Sequence, residues 1–205
     1  EIMPSLVGSE MCIRDRAIPM ETKDHLYLAR LITSEADLGG RLKNSAFEYG
    51  CISPDINPLT YIKGHTYSAT ISYVKNTLTR LHSRLKSPMD YFDLGRAMHF
   101  IGDYFTFPHT PLFNGSLSAH IAYERRLHNH IITSENEIMT EDSLDISNAK
   151  KCVSLLEKMQ QKYYGAKSSV ANDWNYIRFI CSSITLSAAK CTVRAPKLAL
   201  GKAAV

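Results

Sequence analysis

An all-α fold of about seven helices is what this sequence predicts, and three observations carry the expectation. Apolar residues recur at three- and four-residue steps along most of the chain, and no stretch alternates apolar and polar residues as a half-buried strand would. Serines, prolines and glycines punctuate those stretches at helix-length intervals. A chain of 205 residues with 44% apolar content can bury one good core but is short for two, so a single domain is expected.

Residues 1–16, EIMPSLVGSEMCIRDR, show no helical period, no apolar core of a signal peptide and no small-residue cleavage site. They resemble translated adapter sequence, so a non-native or disordered leader is expected, with the native start near Met20. From Lys23 the chain places Leu26, Ala29, Leu31 and Ile32 on one side of a helix, which Gly39-Gly40 breaks before a short second helix through Phe47. His25 falls in the first turn, where a solvated side chain is the default. In CISPDINPLTYIKGH, Pro54 and Pro58 flank Asp55 and deny it a helix interior, so a loop is expected there. Such a loop suits either an ordinary turn or a preorganised carboxylate ligand. His65 then opens an amphipathic helix through Lys86, with Tyr67, Ile71, Val74, Leu78, Leu81 and Leu85 at helical steps.

Ser87-Pro88, a cap followed by proline, starts the next helix, which carries Leu94, Ala97, Met98 and Ile101. Pro108 and Pro111 end it and leave His109 on a connecting loop. Ser116 opens a further helix that runs past His130, and two more follow over about 143–164 and 170–190, divided by Gly165 and a polar linker. Residues 20–190 are therefore expected to form the domain, with 191–205 a loosely attached tail. The most apolar run, Ile177 to Ala189, is broken by three serines and a threonine and falls short of the ~20 residues of a membrane span. It reads as a buried helix.

The formal charge of +4 is mild and scattered, with no basic stripe for duplex nucleic acid, and implies only a weak attraction to anionic surfaces. Apart from Cys12 in the leader, Cys51, Cys152, Cys181 and Cys191 form no Cys-x-x-Cys pair. Free thiols in a reducing compartment are expected, and with no visible signal peptide a cytoplasmic location, or a secreted one if the N-terminus is not native.

The chemistry concentrates between Asp90 and Leu127. His99 and Asp103 stand four residues apart, His109 follows, and His120 and Glu124 again stand four apart. On a helix that spacing puts both side chains on one face with Cβ atoms ~5–6 Å apart, so each pair can converge on one ion. Both pairs sit among apolar residues, where charged groups are placed only if they are paired or bind a metal. Two readings stay open on the spacing alone: two half-built metal sites, or satisfied core histidines with surface carboxylates. His82, His128 and His130 read as exposed helix histidines.

Taken in order, Asp55, His65, His99, Asp103, His109, His120 and Glu124 resemble the metal-binding residues of the zinc-dependent bacterial phospholipase C family. The segments KDHLYLAR, GCISPDINP, AMHFIGDYFTFPH and SAHIAYE carry the resemblance from Lys23 to Leu127. It implies a compact helical bundle with a zinc cluster in a cleft, the cofactor being two Zn2+ ions or three. Asp55, His65, His99 and Asp103 would hold one ion, His109, His120 and Glu124 a second, and Asp103 would bridge to a third shared with His25. In extracellular members the third ion is completed by the backbone of an N-terminal tryptophan, whereas the single tryptophan here is Trp174.

The resemblance further implies hydrolysis of a phosphodiester, with Asp55 both a ligand and the group that orients or deprotonates the attacking water. The substrate would be a phospholipid head group, met at a membrane surface visited transiently. A zinc nuclease for single strands shares this fold and is the runner-up, although such enzymes are typically disulfide-bonded; a non-catalytic metal-binding module comes third. Members that cleave phosphatidylcholine place an aromatic directly after the loop aspartate and another three residues before the following histidine. Here those positions are Ile56 and Ile62, so little preference for choline is expected. Tyr104, Phe105 and Phe107 read as core residues rather than as the mouth of a cleft.

Overall fold

The structure, a computed structural model, describes residues 22–57, 66–81, 84–134 and 148–189. The leader, the tail, Ile62, His65 and His82 lie outside the described residues. The helices are α1 (Thr22–Glu35), α2 (Arg41–Ile56), α3 (Tyr67–Leu81), α4 (Pro88–Tyr104), α5 (Leu117–Thr133), α6 (Ala149–Gly165) and α7 (Val170–Ala189). One turn of 3-10 helix, Phe107–His109, joins α4 to α5. Among the described residues there is no strand, and the all-α expectation holds.

Helix α4 is the axis of the bundle. Its buried residues, among them Tyr91, Leu94, Ala97, Met98, Phe100, Ile101 and Tyr104, face several directions. A helix apolar on most sides has to be covered on most sides, and α1, α2, α3 and α7 all lean on it. Its start is as the sequence predicts: the Ser87 hydroxyl accepts from the Asp90 N–H and the Asp90 carboxylate accepts from the Ser87 N–H, a reciprocal cap with Pro88 just inside. Ser116 and Asn148 cap α5 and α6 through the side chain alone, accepting the N–H groups of Ala119 and Lys151. Between α1 and α2, Gly39 and Gly40 take φ of 111° and 101°, a region closed to most side chains, and Asp37 Oδ1 accepts both of their N–H groups.

The tightest contact in the bundle is α2 against α4. A Cβ on Gly50 would stand 2.1 Å from the Phe92 carbonyl oxygen, and one on Gly95 would stand 2.2 Å from that of Phe47. The two backbones touch where neither helix has a side chain.

That contact overturns the expected loop around Asp55. Helix α2 runs on past Phe47, through Pro54, to Ile56, so Asp55 sits in its last turn. Pro54 lacks the N–H that would bond the Gly50 carbonyl, and a proline inside a helix costs ~3 kcal/mol. The Ser53 hydroxyl donates to that carbonyl instead, at 3.0 Å. Packing on α4 and this substitute bond offset the penalty. Asn57, the residue before Pro58, is extended at φ −97° and ψ 111°, and there the helix stops.

Helix α3 is shorter than the periodicity predicts, ending at Leu81 rather than Lys86. The Arg84 N–H turns back to the Leu81 carbonyl at 2.9 Å, and the Asp90 carboxylate takes the N–H groups of Lys86 and Ser87, so residues 84–87 are held outside a helix. Helix α7 is buried along its length, with Ile177, Ile180, Cys181 and Ile184 in the core, and Arg178 donates to Glu35 at the end of α1 over 2.7 Å. No described helix is long and apolar enough to cross a membrane. Cys51 and Cys181 are free, buried thiols, as expected of them, Cys152 is buried as well, and Cys12 and Cys191 lie outside the described residues.

Tyr104 and Phe105 are core residues. Tyr104 packs edge-on against Tyr67 and shares a hydrogen bond with the Thr70 hydroxyl, while Phe105 stacks on Tyr176.

Gly95→Ala tests the α2–α4 contact. Overpacking a close backbone approach costs about 1–3 kcal/mol or more, so urea unfolding should show a loss of at least about 2 kcal/mol. A change below about 0.5 kcal/mol would mean that the two helices part easily.

Candidate metal centre

Five elements deliver the acidic and imidazole groups to one buried region. His25 comes from the first turn of α1, Asp55 from the last turn of α2, His99 and Asp103 from α4, and His109 from the 3-10 turn. His120 and Glu124 come from α5. His65 lies outside the described residues.

Asp103, fully buried, is the centre. Its Oδ1 lies 3.3 Å from His25 Nε2 and 3.8 Å from His109 Nδ1, and its Oδ2 lies 3.4 Å from His99 Nε2. Asp55 Oδ1 approaches the same His99 Nε2 at 3.5 Å. One donor atom from each of His25, His99 and Asp103 falls within 4.8 Å of the others, as does one from each of His109, His120 and Glu124. In the second trio, Glu124 Oε1 lies 3.1 Å from His109 Nε2 and 2.8 Å from His120 Nε2. His109 faces both groups, one ring nitrogen towards Asp103 and the other towards Glu124.

The solvated His25 that its terminal position predicts is not found: the side chain is 1% exposed. Gly102 allows this, since a Cβ there would stand 3.3 Å from the His25 ring. The rings of His25 and His99 lie 3.9 Å apart at 30°, so two imidazolium charges would repel strongly at this point. Neither ring nitrogen of His25 has an aligned hydrogen bond among the described residues.

Three features make this region fit a bound cation. The backbone carbonyl of Cys51 has no proton, so His99 Nδ1, 2.8 Å away, donates to it. In the neutral ring Nε2 is then a lone pair facing two carboxylates, the arrangement of a metal ligand whose tautomer is held by its other nitrogen. Asp55 and Asp103 are each the penultimate residue of a helix whose last turn has no basic residue. Helix C-termini carry about half a negative charge, so two carboxylates and two negative helix ends meet in a dry region. Finally, nitrogen and oxygen donors from His, Asp and Glu are the ligand types that suit zinc.

Titration behaviour reflects that field. Burial lowers the pKa of His25, yet the charges of Asp103, Asp55 and Asp24 outweigh it and leave the ring above its ordinary value. His109 is likewise lowered by burial and raised further by Asp103 and Glu124, with a net rise. Glu124 is pushed up by burial and pulled down more by His109 and His120, so it stays ionised.

Three residues near the centre carried no usable signal in the sequence. His128, read as an exposed helix histidine, is half-buried and its Nδ1 pairs with the Asp24 carboxylate, which is itself buried beside His25. Burial raises the Asp24 pKa, and His128 opposes that rise. Asp173, in the first turn of α7, accepts hydrogen bonds from the Phe107 N–H, the Tyr123 hydroxyl and the Tyr163 hydroxyl. Burial lifts its pKa to about 6 against those bonds, and burial with the charge of Asp173 pushes both phenols up, so that they remain donors. An acidic residue in a first turn is so common beside a helix dipole that it draws no notice. Trp174 is buried in α7 beside Tyr27.

A family model described as zinc dependent phospholipase C matches residues 24–176. No curated protein and no solved structure matches the chain.

A ligand imidazole must be neutral to bind a metal, so protons and zinc compete for the raised histidines. The sign is that apparent zinc affinity falls as pH drops, starting above the ordinary imidazole value. Titration calorimetry near pH 7 in buffers of different ionisation enthalpy should show release of at least about one proton per chain on zinc binding. Binding without proton release would contradict the raised values.

Proposed function

The chain belongs to the zinc-dependent phospholipase C family, and on that premise we propose that it hydrolyses the phosphodiester of a phospholipid head group. Membership supports a zinc hydrolase. The observation that carries the reading further is Asp103, a fully buried carboxylate facing three histidines, with Asp55 across one of them and Glu124 across another.

In this reading Asp55, His65, His99 and Asp103 would hold one zinc ion and His109, His120 and Glu124 would hold a second. Asp103 and His25 offer donors to a third. When bound, clustered zinc ions polarise the phosphoryl oxygens and neutralise the charge that develops on them.

The chain's own groups set the rest. Cys51 holds the His99 ring in one tautomer through its carbonyl. Asp55 stands in the last turn of α2 with its Oδ1 3.5 Å from His99 Nε2, a placement that suits it to orient the attacking water and take its proton. Asp103 supplies the negative charge that lets cations stand close together. His120, 21% exposed, is the most accessible of the described donors, so substrate would arrive from its side. Phe113 packs edge-on against its ring, and Phe107 packs against Phe113. Ile56, 51% exposed beside Asp55, offers no aromatic face to a quaternary ammonium.

Hydrolysis of phosphatidylcholine, phosphatidylethanolamine and a single-stranded oligonucleotide, before and after chelation and again after zinc is restored, tests this. Phospholipid hydrolysis that is lost and regained is expected, with choline preferred over ethanolamine by less than about a hundredfold, roughly 2.7 kcal/mol. Hydrolysis confined to the oligonucleotide would make the protein a nuclease, and full activity without metal would end the metallohydrolase reading.

Asp103→Asn and Glu124→Gln separate the sites. Asp103 faces both donor groups, whereas Glu124 faces one, so Asp103→Asn should lose more zinc per chain at fixed free zinc and melt lower. Equal losses would withdraw the bridging role of Asp103.

A further inference from the structure

Asp173 is a fully buried carboxylate outside the donor groups, and its three hydrogen bonds reach three different elements. Oδ2 accepts from the Phe107 N–H at 2.9 Å and from the Tyr123 hydroxyl at 2.8 Å, and Oδ1 accepts from the Tyr163 hydroxyl at 2.8 Å. Phe107 opens the 3-10 turn that ends in His109. Tyr123 precedes Glu124 on α5, and Tyr163 is on α6. The same oxygen therefore joins the backbone that aims His109 to the helix that aims His120 and Glu124. Those two segments are separated by the irregular stretch from Thr110 to Gly115, so helical continuity does not set their relative position.

A buried carboxylate is a poor choice if stability is the only demand. Taking it out of water costs several kcal/mol, and a well-packed apolar residue of similar volume often does as well or better. What a carboxylate adds is two acceptor oxygens with direction, able to fix a backbone N–H and a phenol on one atom. Groups that hold metal ligands in this manner commonly change metal affinity 10–100-fold when removed.

We propose that Asp173 is the positioning residue for the His109, His120 and Glu124 trio, holding the 3-10 turn and α5 in the relative placement that brings three donors onto one ion. The proposal rests on the reading of that trio as a metal site. It makes Asp173 act through Phe107 and Tyr123, without touching metal or substrate.

The test is a titration of the metal-free protein with Co2+ alone, followed by its visible absorption. Glu124→Gln identifies the binding phase that belongs to the trio. Asp173→Asn should weaken that phase about tenfold or more and alter its band, while the phase that Asp103→Asn diminishes but Glu124→Gln spares stays within about twofold. Tyr163→Phe removes only the bond to α6, so it should lower the melting temperature and leave the trio's phase in place. If Asp173→Asn does not fold, Tyr123→Phe replaces it and should weaken the same phase several-fold. Equal weakening of both phases, or of neither, in the variant that folds overturns the positioning role. A parent titration that Glu124→Gln does not alter overturns the metal reading of the trio itself, and this proposal with it.

Discussion

The backbone contact between α2 and α4 is the constraint on which the site depends. Gly50 and Gly95 let the helices approach until each meets the other's carbonyl oxygen, closer than any pair of side chains would allow. At that separation the Cys51 carbonyl reaches His99 Nδ1, and the last turn of α2 brings Asp55 to the other nitrogen of the same ring. A bundle with larger residues at the crossing would keep both helices and lose the register between them. The glycines therefore act on the chemistry through geometry.

Around that crossing the charges are arranged against ordinary folding preference. Helix ends favour cations at the C-terminus, yet α2 and α4 both carry an aspartate in a last turn that has no basic residue. Burial opposes the charged form of His25 and His109, yet the carboxylates raise both rings. Local choices that contradict the general rule are expected where a sequence serves a site rather than a core. Here the contradictions share one sign: each is relieved by positive charge placed between the groups.

Further out, the supports are conventional in chemistry and distant in sequence. Asp24 at the start of α1 meets His128 near the end of α5, and Asp173 in α7 meets Phe107 and Tyr123. These bonds connect helices that the donor groups alone would leave to side-chain packing.

By itself the sequence determined most of the helices and picked out most of the candidate ligands that the fold brings together. Periodicity, the Ser87 and Ser116 caps and the glycine breaks place α1, α4 and α5, because those signals act within one or two turns. The four-residue spacing of His99 with Asp103, and of His120 with Glu124, fixes each pair on a helix face for the same local reason. Three things were decided only in the tertiary structure. Helix α2 continues through Pro54 because packing on α4 and the Ser53 hydroxyl outweigh a local penalty. His25 is buried because Gly102 leaves room for its ring. Asp24, His128 and Asp173 find partners 104, 50 and 66 residues away along the chain, counting the pairs Asp24–His128, Asp173–Tyr123 and Asp173–Phe107. Spacing rules describe a single element, and a contact across that much chain depends on how whole helices are placed, which no local pattern encodes.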